Sequence, residues 1–325
     1  MSTAGEARAV AHANIALAKY WGKLDEVENL PAVPSLSLTL AGLSTTTLVR
    51  LDPGASEDSL VLDGRAETGK ARERATRLLS EVRRRAGSSV YARVESSNDF
   101  PTASGLASSA SGFAALALAA SSAYALDLVP AEVSSLARRS SASAARSVYG
   151  GYVELGAGAR SASPVLSGEA WPLRMVIAVT ASGPKSIGST SGMQRTRDTS
   201  PYYAAWVEHA PRRFEEARAA LLARDFETLG AAVEQSALMM HASMLAARPS
   251  IQYFTPATLR VMAEVRALRN GGVPAFFTMD AGPHVKVLCE PASAAAVEQA
   301  LAQLEGVERL IVTGPGPDAR CLEPR

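Results

Sequence analysis

Three kinds of residue in this chain could work together as chemistry: a carboxylate at a tight turn, basic side chains in short polar segments, and a Gly/Ser loop entering a helix. The loop runs from Pro101 to Leu116, PTASGLASSASGFAAL. Glycine lets a ligand approach the main chain. Ser104, Gly105, Leu106 and Ala107 lead into Ser108 and Ser109, where an alanine-rich helix should begin. A helix N-terminus offers unpaired N–H groups and the positive end of the helix dipole, which suits phosphate. An ordinary Ser-capped helix fits the same residues. The spacing matches neither a Walker A loop nor G-x-G-x-x-G.

The carboxylate is Asp280, in TMDAGPH at the end of an expected strand. Placed on a rigid scaffold, it could act as general base toward a hydroxyl; an Asp that only shapes its own turn also fits. The run RRSSASAARSVYGG at 138–151 brings Ser141, Ser143 and Arg146 close together. Arginine offers a planar fork for a carboxylate or phosphate. In ANIALAKYWGK, Lys19, Tyr20 and Lys23 surround Trp21, which reads as an exposed tryptophan beside lysine. Two such lysines could reach one polyanion, or could be snorkelling side chains at a strand end. The segment 182–193, SGPKSIGSTSGM, reads as a hydroxyl-rich loop carrying Lys185 and Ser189. It could close over phosphates or lie solvated. The histidines form no metal signature, so any metal is expected to be Mg²⁺ carried by nucleotide phosphates.

These groups need a scaffold. Leu36–Leu40 and Thr45–Leu51 alternate as strands, and Ser59–Leu62 is a shorter one before the turn signal Asp63-Gly64. Lys70–Ala86 is an amphipathic helix whose arginines read as a solvated face. A strand at Val90–Glu95 feeds the Gly/Ser loop. Helices follow at Ser108–Ala125 and near Ala131–Arg138, then β structure at Gly150–Leu155. Met175–Thr180 is an apolar run expected as a buried strand. Pro201–Ala246 holds two helices divided near Arg224-Asp225, and Thr255–Asn270 ends at Gly271-Gly272. Strands at Ala275–Met279, Val285–Cys289 and Arg309–Thr313, with a helix at Ala292–Leu304, suggest an α+β layer of ferredoxin-like kind.

Composition narrows the function. The chain has 325 residues, long enough for two domains, and its 33 basic and 32 acidic residues leave a net charge of +1. That balance gives no push toward nucleic acid or membranes, so any anion site is local. The two cysteines, Cys289 and Cys321, lack metal-ligand spacing and fit a reducing, cytoplasmic compartment. No signal core or membrane span is read in the sequence.

Together, ANIALAKYWGK at 13–23, PSLSLTL at 34–40, FPTASGLASSASGFAAL at 100–116, ASAARSVYGGYV at 142–153 and MDAGP at 279–283 resemble the diphosphomevalonate decarboxylase family. That family lies within the GHMP small-molecule kinases. The resemblance implies a GHMP kinase fold, with a ribosomal-S5-domain-2-like α/β domain over 1–174 and a ferredoxin-like domain over 175–325. It places the active-site cleft between them. It implies ATP-dependent decarboxylation of diphosphomevalonate, with Mg²⁺, in a homodimer. Asp280 would orient or deprotonate the substrate 3-hydroxyl. Arg146 would hold the carboxylate, with Lys19 beside it and the transferred phosphate. Tyr20, Lys23, Ser141, Ser143 and Ser189 would contact the substrate. Ser104 to Ser109 and Lys185 would serve the ATP phosphates. The chain departs from the family pattern at Ser140, Ala142 and Ala145, and at Gly188-Ser189 in place of paired serines. A mevalonate 3-kinase, a phosphomevalonate decarboxylase or a non-catalytic ligand binder of the same fold are the competing expectations. Retention of Asp280, Arg146 and Lys19 favours full decarboxylation.

Overall fold

The computed structural model describes residues 5–100, 108–181 and 187–323. Its first strand is β1 (Glu6–Ala18), an alanine-rich segment of low strand propensity that is buried on both faces. Next come a small hairpin, β2 (Lys23–Asp25) and β3 (Leu30–Pro31), and the long β4 (Ser35–Asp52). β4 joins in one strand the two segments expected from the sequence. Its first half pairs with β8 (Tyr152–Leu155) and its second half with β7 (Tyr91–Asn98). Pairing with β1 shifts register between His12 and Asn14, an irregularity that lets β4 change partners.

β5 (Ser59–Leu62) and β6 (Arg65–Ala66) meet across Asp63-Gly64, both at positive φ as a tight hairpin requires. Helix α1 (Lys70–Ala86) then carries the chain back, so that β7 pairs parallel to β5. α2 (Ser108–Ala123) lies across β1 and β4. Its buried face is nearly all alanine, from Ala110 to Ala120, so helix and sheet approach closely. α3 (Pro130–Ser140) and a 3₁₀ segment (Ala142–Val148) pack against α2. β9 (Ser163–Leu166) closes this side on β8.

The second sheet is fully antiparallel. It contains β10 (Arg174–Val179), β11 (Ala275–Met279), β12 (Val285–Cys289) and β13 (Arg309–Thr313), in spatial order β11-β12-β10-β13. Helices α4 (Ser189–Thr199), α5 (Tyr203–Ala223), α6 (Phe226–Leu245) and α7 (Pro256–Asn270) connect β10 to β11, and α8 (Ala294–Ala302) connects β12 to β13. This is the ferredoxin-like strand order expected from the sequence. The last strand, β14 (Arg320–Leu322), returns to pair with β1 in the first sheet.

One core joins the two sheets. Ile15, Leu17, Leu36 and Leu38 of the first meet Met175, Ile177, Phe276 and Leu288 of the second, with Phe214 and Leu229 of α5 and α6 between them. Gly230 permits this closeness, because a Cβ there would lie 2.0 Å from the Phe276 ring. β1 thus runs along the first sheet and ends against the second.

Two sequence expectations are corrected. The polar segment read as a loop to Met193 is helical from Ser189, because Gly192, Met193 and Thr196 bury one face at helical spacing. The arginines of α1 are not all solvated. Arg83 is buried against Asp58 through paired contacts of 2.6 and 2.9 Å, and Arg74 stacks on Phe113 at 4.4 Å. Both cysteines are free thiols, Cys289 buried and Cys321 exposed. Among the described residues no helix is long and apolar enough to cross a membrane.

Candidate active site

The site forms where β1, the 3₁₀ segment, α6 and the β11–β12 turn converge. Lys19 follows the last residue of β1 and is buried. Its amide donates to Ser236 Oγ of α6 at 2.9 Å, which fixes the backbone before the ammonium is placed. Its Nζ donates to Ala16 O at 2.7 Å and to Asp280 Oδ1 at 2.7 Å. Asp280 follows β11 directly, and Gly282 N–H donates to its carbonyl at 2.7 Å in a tight turn. The chain bends there, so the carboxylate projects from a strand end.

A second ammonium meets that carboxylate. Lys286 Nζ of β12 lies 3.2 Å from Asp280 Oδ2, and its side chain has no solvent exposure. Burial alone would raise the Asp280 carboxyl, but Lys19 and then Lys286 more than offset this and hold it below the usual carboxylate range. Burial brings Lys19 down to about 8 despite Asp280, so it remains charged at neutral pH. His241 of α6 stacks on Phe254 at 4.5 Å. Burial, and then the nearby Lys19 charge, lower it to about 3, so it is neutral.

Arg146 comes from the 3₁₀ segment and is also buried. Nη1 donates to Ser35 Oγ at 2.7 Å and Nη2 to Asn14 Oδ1 at 3.4 Å, while Nε is buried without a partner among the described residues. Asn14 is itself held by Ser147 Oγ at 2.7 Å and Ser143 O at 3.0 Å. Burial lowers Arg146 to about 10, with Asp280 opposing the shift, and the guanidinium stays charged. An orphaned buried donor on a fixed cation is a cradle for an anion. Tyr20 Oη, buried without a partner among the described residues, is a second open polar group. Burial raises its pKa, so the phenol is neutral.

Lys23 opens β2, half-buried. Burial lowers its pKa; Glu26 opposes the shift, and Arg74 and Arg77 of α1 reinforce it. Arg74 Nε donates to Ser140 O at 3.1 Å, which ties α1 to the end of α3. The Ser141 and Ser143 hydroxyls are 3.1 Å apart just beyond. Lys23, Arg74 and Arg77 thus make a local basic region in a chain of balanced charge. Ser189 begins α4, and Ser108 and Ser109 begin α2 with no acidic residue in its first turn. Ser104, Gly105, Leu106, Ala107 and Lys185 lie outside the described residues.

Trp21 is buried, not exposed as its sequence context suggested. Its Nε1 donates to Thr196 Oγ1 of α4 at 3.1 Å, and its carbonyl accepts from Trp206 Nε1 of α5 at 2.7 Å. It holds the Lys19–Lys23 segment against α4 and α5. The sequence reading missed Lys286, Asn14, Ser35, Ser236 and Arg74. Asn14 and Ser35 lie inside quoted motifs without being singled out, and Lys286 left a trace as a charge inside the apolar run VKVLC. Among the described residues no three His, Cys, Asp or Glu side chains gather as a metal cage.

The arrangement can hold an anion between Arg146 and Lys19, with an ionised carboxylate beside it. Comparisons with known proteins give the family. Residues 11–165 match the diphosphomevalonate decarboxylase-like N-terminal domain, and residues 175–311 match the mevalonate 5-diphosphate decarboxylase C-terminal domain. The diphosphomevalonate decarboxylase of Eremothecium gossypii is 39% identical over 304 residues, covering 86% of this chain and 76% of its own. A solved structure of MDDEF in complex with MVAPP, AMPPCP and magnesium is 39% identical with a TM-score of 0.92, covering 98% of this chain and 99% of that one. The mevalonate diphosphate decarboxylase of Staphylococcus aureus is 38% identical with a TM-score of 0.92 and 98% coverage of both chains. The chain belongs to the diphosphomevalonate decarboxylase family.

Proposed function

We propose that this chain catalyses the ATP-dependent decarboxylation of (R)-5-diphosphomevalonate to isopentenyl diphosphate, ADP, phosphate and CO₂, in the mevalonate route to isoprenoids. The observation that carries this reading is Asp280 held between two buried ammoniums, with the unpartnered Nε of buried Arg146 close enough to feel its charge.

Asp280 orients the 3-hydroxyl and accepts its proton as the γ-phosphoryl group of ATP is transferred. Its low pKa makes orientation the larger part of this role. Arg146 holds the substrate carboxylate and so fixes the bond that breaks. Lys19 lies beside both anions and offsets charge on the transferred phosphoryl. Departure of the 3-phosphate builds positive charge at C3, and loss of CO₂ supplies the electrons of the new double bond. Burial strengthens these interactions, because fixed charges in a dry site need no reorganisation.

Lys23, with Arg74 and Arg77 behind it, suits the substrate diphosphate, and Tyr20, Ser141, Ser143 and Ser189 line the same approach. The start of α2 at Ser108 and Ser109, with Ser104 to Ala107 and Lys185, serves the ATP phosphates. Mg²⁺ would enter with the nucleotide and offset phosphate charge. We assign residues 1–174 and 175–325 to the two domains, and infer a cytoplasmic homodimer.

Incubation with ATP and diphosphomevalonate should release ADP and CO₂ in equal amounts. ADP without trapped CO₂ would mean a kinase that stops at the 3-phosphate, and would reject the decarboxylase reading.

A further inference from the structure

Lys286 is the buried charge that the reaction above leaves unused. It sits on the face of the second sheet that also carries Phe276 and Leu288 toward α6, whereas its neighbours Val285 and Val287 point into the opposite core. A fully buried ammonium is costly unless an anion meets it. Among the described residues the carboxylate within ion-pair reach is Asp280, at 3.2 Å. Among the described residues its Nζ also makes a long contact with His284 O, at 3.4 Å. One carboxylate therefore serves two ammoniums, Lys19 through a hydrogen bond to Oδ1 and Lys286 through its charge beside Oδ2, which accepts no hydrogen bond among the described residues.

We propose that Lys286 is a positioning residue for this reaction: it holds Oδ2 of Asp280 so that the carboxylate keeps its aim when Lys19 turns toward the incoming anions. The argument rests on the proposed role of Asp280. Lys19 has competing duties, since its neighbours include Arg146 and the anion that Arg146 would bind. A carboxylate tethered by Lys19 alone would lose that tether as substrate arrives. Lys286, on the neighbouring strand and without solvent access, does not change partners. It also helps keep Asp280 ionised. Among the described residues the charged or titratable groups around Asp280 are Lys19 just after β1, Arg146 of the 3₁₀ segment, neutral His241 of α6 and Lys286 of β12. Removing Lys286 takes away one of the two cations in direct contact.

The test is the steady-state kinetics of Lys286→Met beside Asp280→Asn and wild type. Lys286→Met should lower kcat by about ten- to a hundredfold while the KM for diphosphomevalonate stays within about threefold. A kcat like that of wild type, with Asp280→Asn inactive, would overturn the role of Lys286 alone. Near-normal turnover in Asp280→Asn would overturn the reading of Asp280 and this inference with it. If Lys286→Met does not fold, the melting temperatures of Asp280→Asn and Asp280→Asn/Lys286→Met decide. The double variant should melt higher, since it removes an ammonium left without its anion. A double variant that melts at or below the single one would show that Lys286 does not depend on Asp280, and would overturn the proposal.

Discussion

Lys19 and Asp280 are 261 residues apart in the chain, yet their Nζ and Oδ1 atoms are 2.7 Å apart. The pair ties the end of the first strand to the turn of the second sheet and gives the site its pH response. Burial brings Lys19 down to about 8. The kcat/KM profile, which reports the free enzyme, should therefore fall as pH rises through about 8, where Lys19 loses its charge. Stability should move the other way. An unfolded lysine keeps its proton up to about 10.5, so between about 8 and 10.5 this group makes folding more favourable as pH rises. The activity loss is thus separable from unfolding. Lys19→Arg, at reduced kcat, should abolish the limb near 8; a limb that stays in place would assign it to another group.

Arg146 should be intolerant of lysine. Two of its five N–H donors are committed to Ser35 and Asn14, and Nε, without a partner among the described residues, is open to a ligand. Lysine keeps the charge but cannot bond Ser35, Asn14 and a carboxylate from one planar head. Charge-assisted hydrogen bonds are worth about 1.5–3 kcal/mol. Arg146→Lys should therefore raise the KM for diphosphomevalonate roughly ten- to a hundredfold and lower kcat as well. Steady-state kinetics at saturating ATP would check this, and an unchanged KM would place the carboxylate elsewhere.

How much of this was readable beforehand depended on whether a signal was local. Helix α1 was legible to the residue, Lys70–Ala86, because amphipathic spacing and the following Gly87 define both its face and its end. Strand β1 was legible only as one reading of its end, where Lys19 and Lys23 could snorkel, and its extent was not. Glu6–Ala18 is alanine-rich, and pairing with β4 and cover from α2 fix it as one. Asp280, Arg146 and Lys19 stood out through their motifs. Lys286 did not, since the pattern VKVLC marks a strand but carries no sign of a carboxylate six residues earlier folding back to meet it. Trp21 was misplaced because its partners, Thr196 and Trp206, lie far along the chain.

Gly22 links Lys19 and Tyr20 to Lys23, and its replacement should damage both stability and binding. Its φ is +112°, a conformation open to glycine and strained for other residues. A Cβ there would also fall 2.2 Å from Tyr203 Oη and 3.1 Å from Cζ. Strain of this kind costs about 1–3 kcal/mol, and the clash adds to it. Gly22→Ala should lower the melting temperature by several degrees and raise the KM for diphosphomevalonate, because Lys23 is displaced relative to Lys19. Tyr203→Phe in the same chain removes the closest atom and should recover part of the loss, while the backbone strain persists. The two substitutions should thus be non-additive in a double-mutant cycle, as neighbours sharing a contact are. Additive melting shifts would mean that α5 moves aside freely, and that Trp21 alone holds this segment against it.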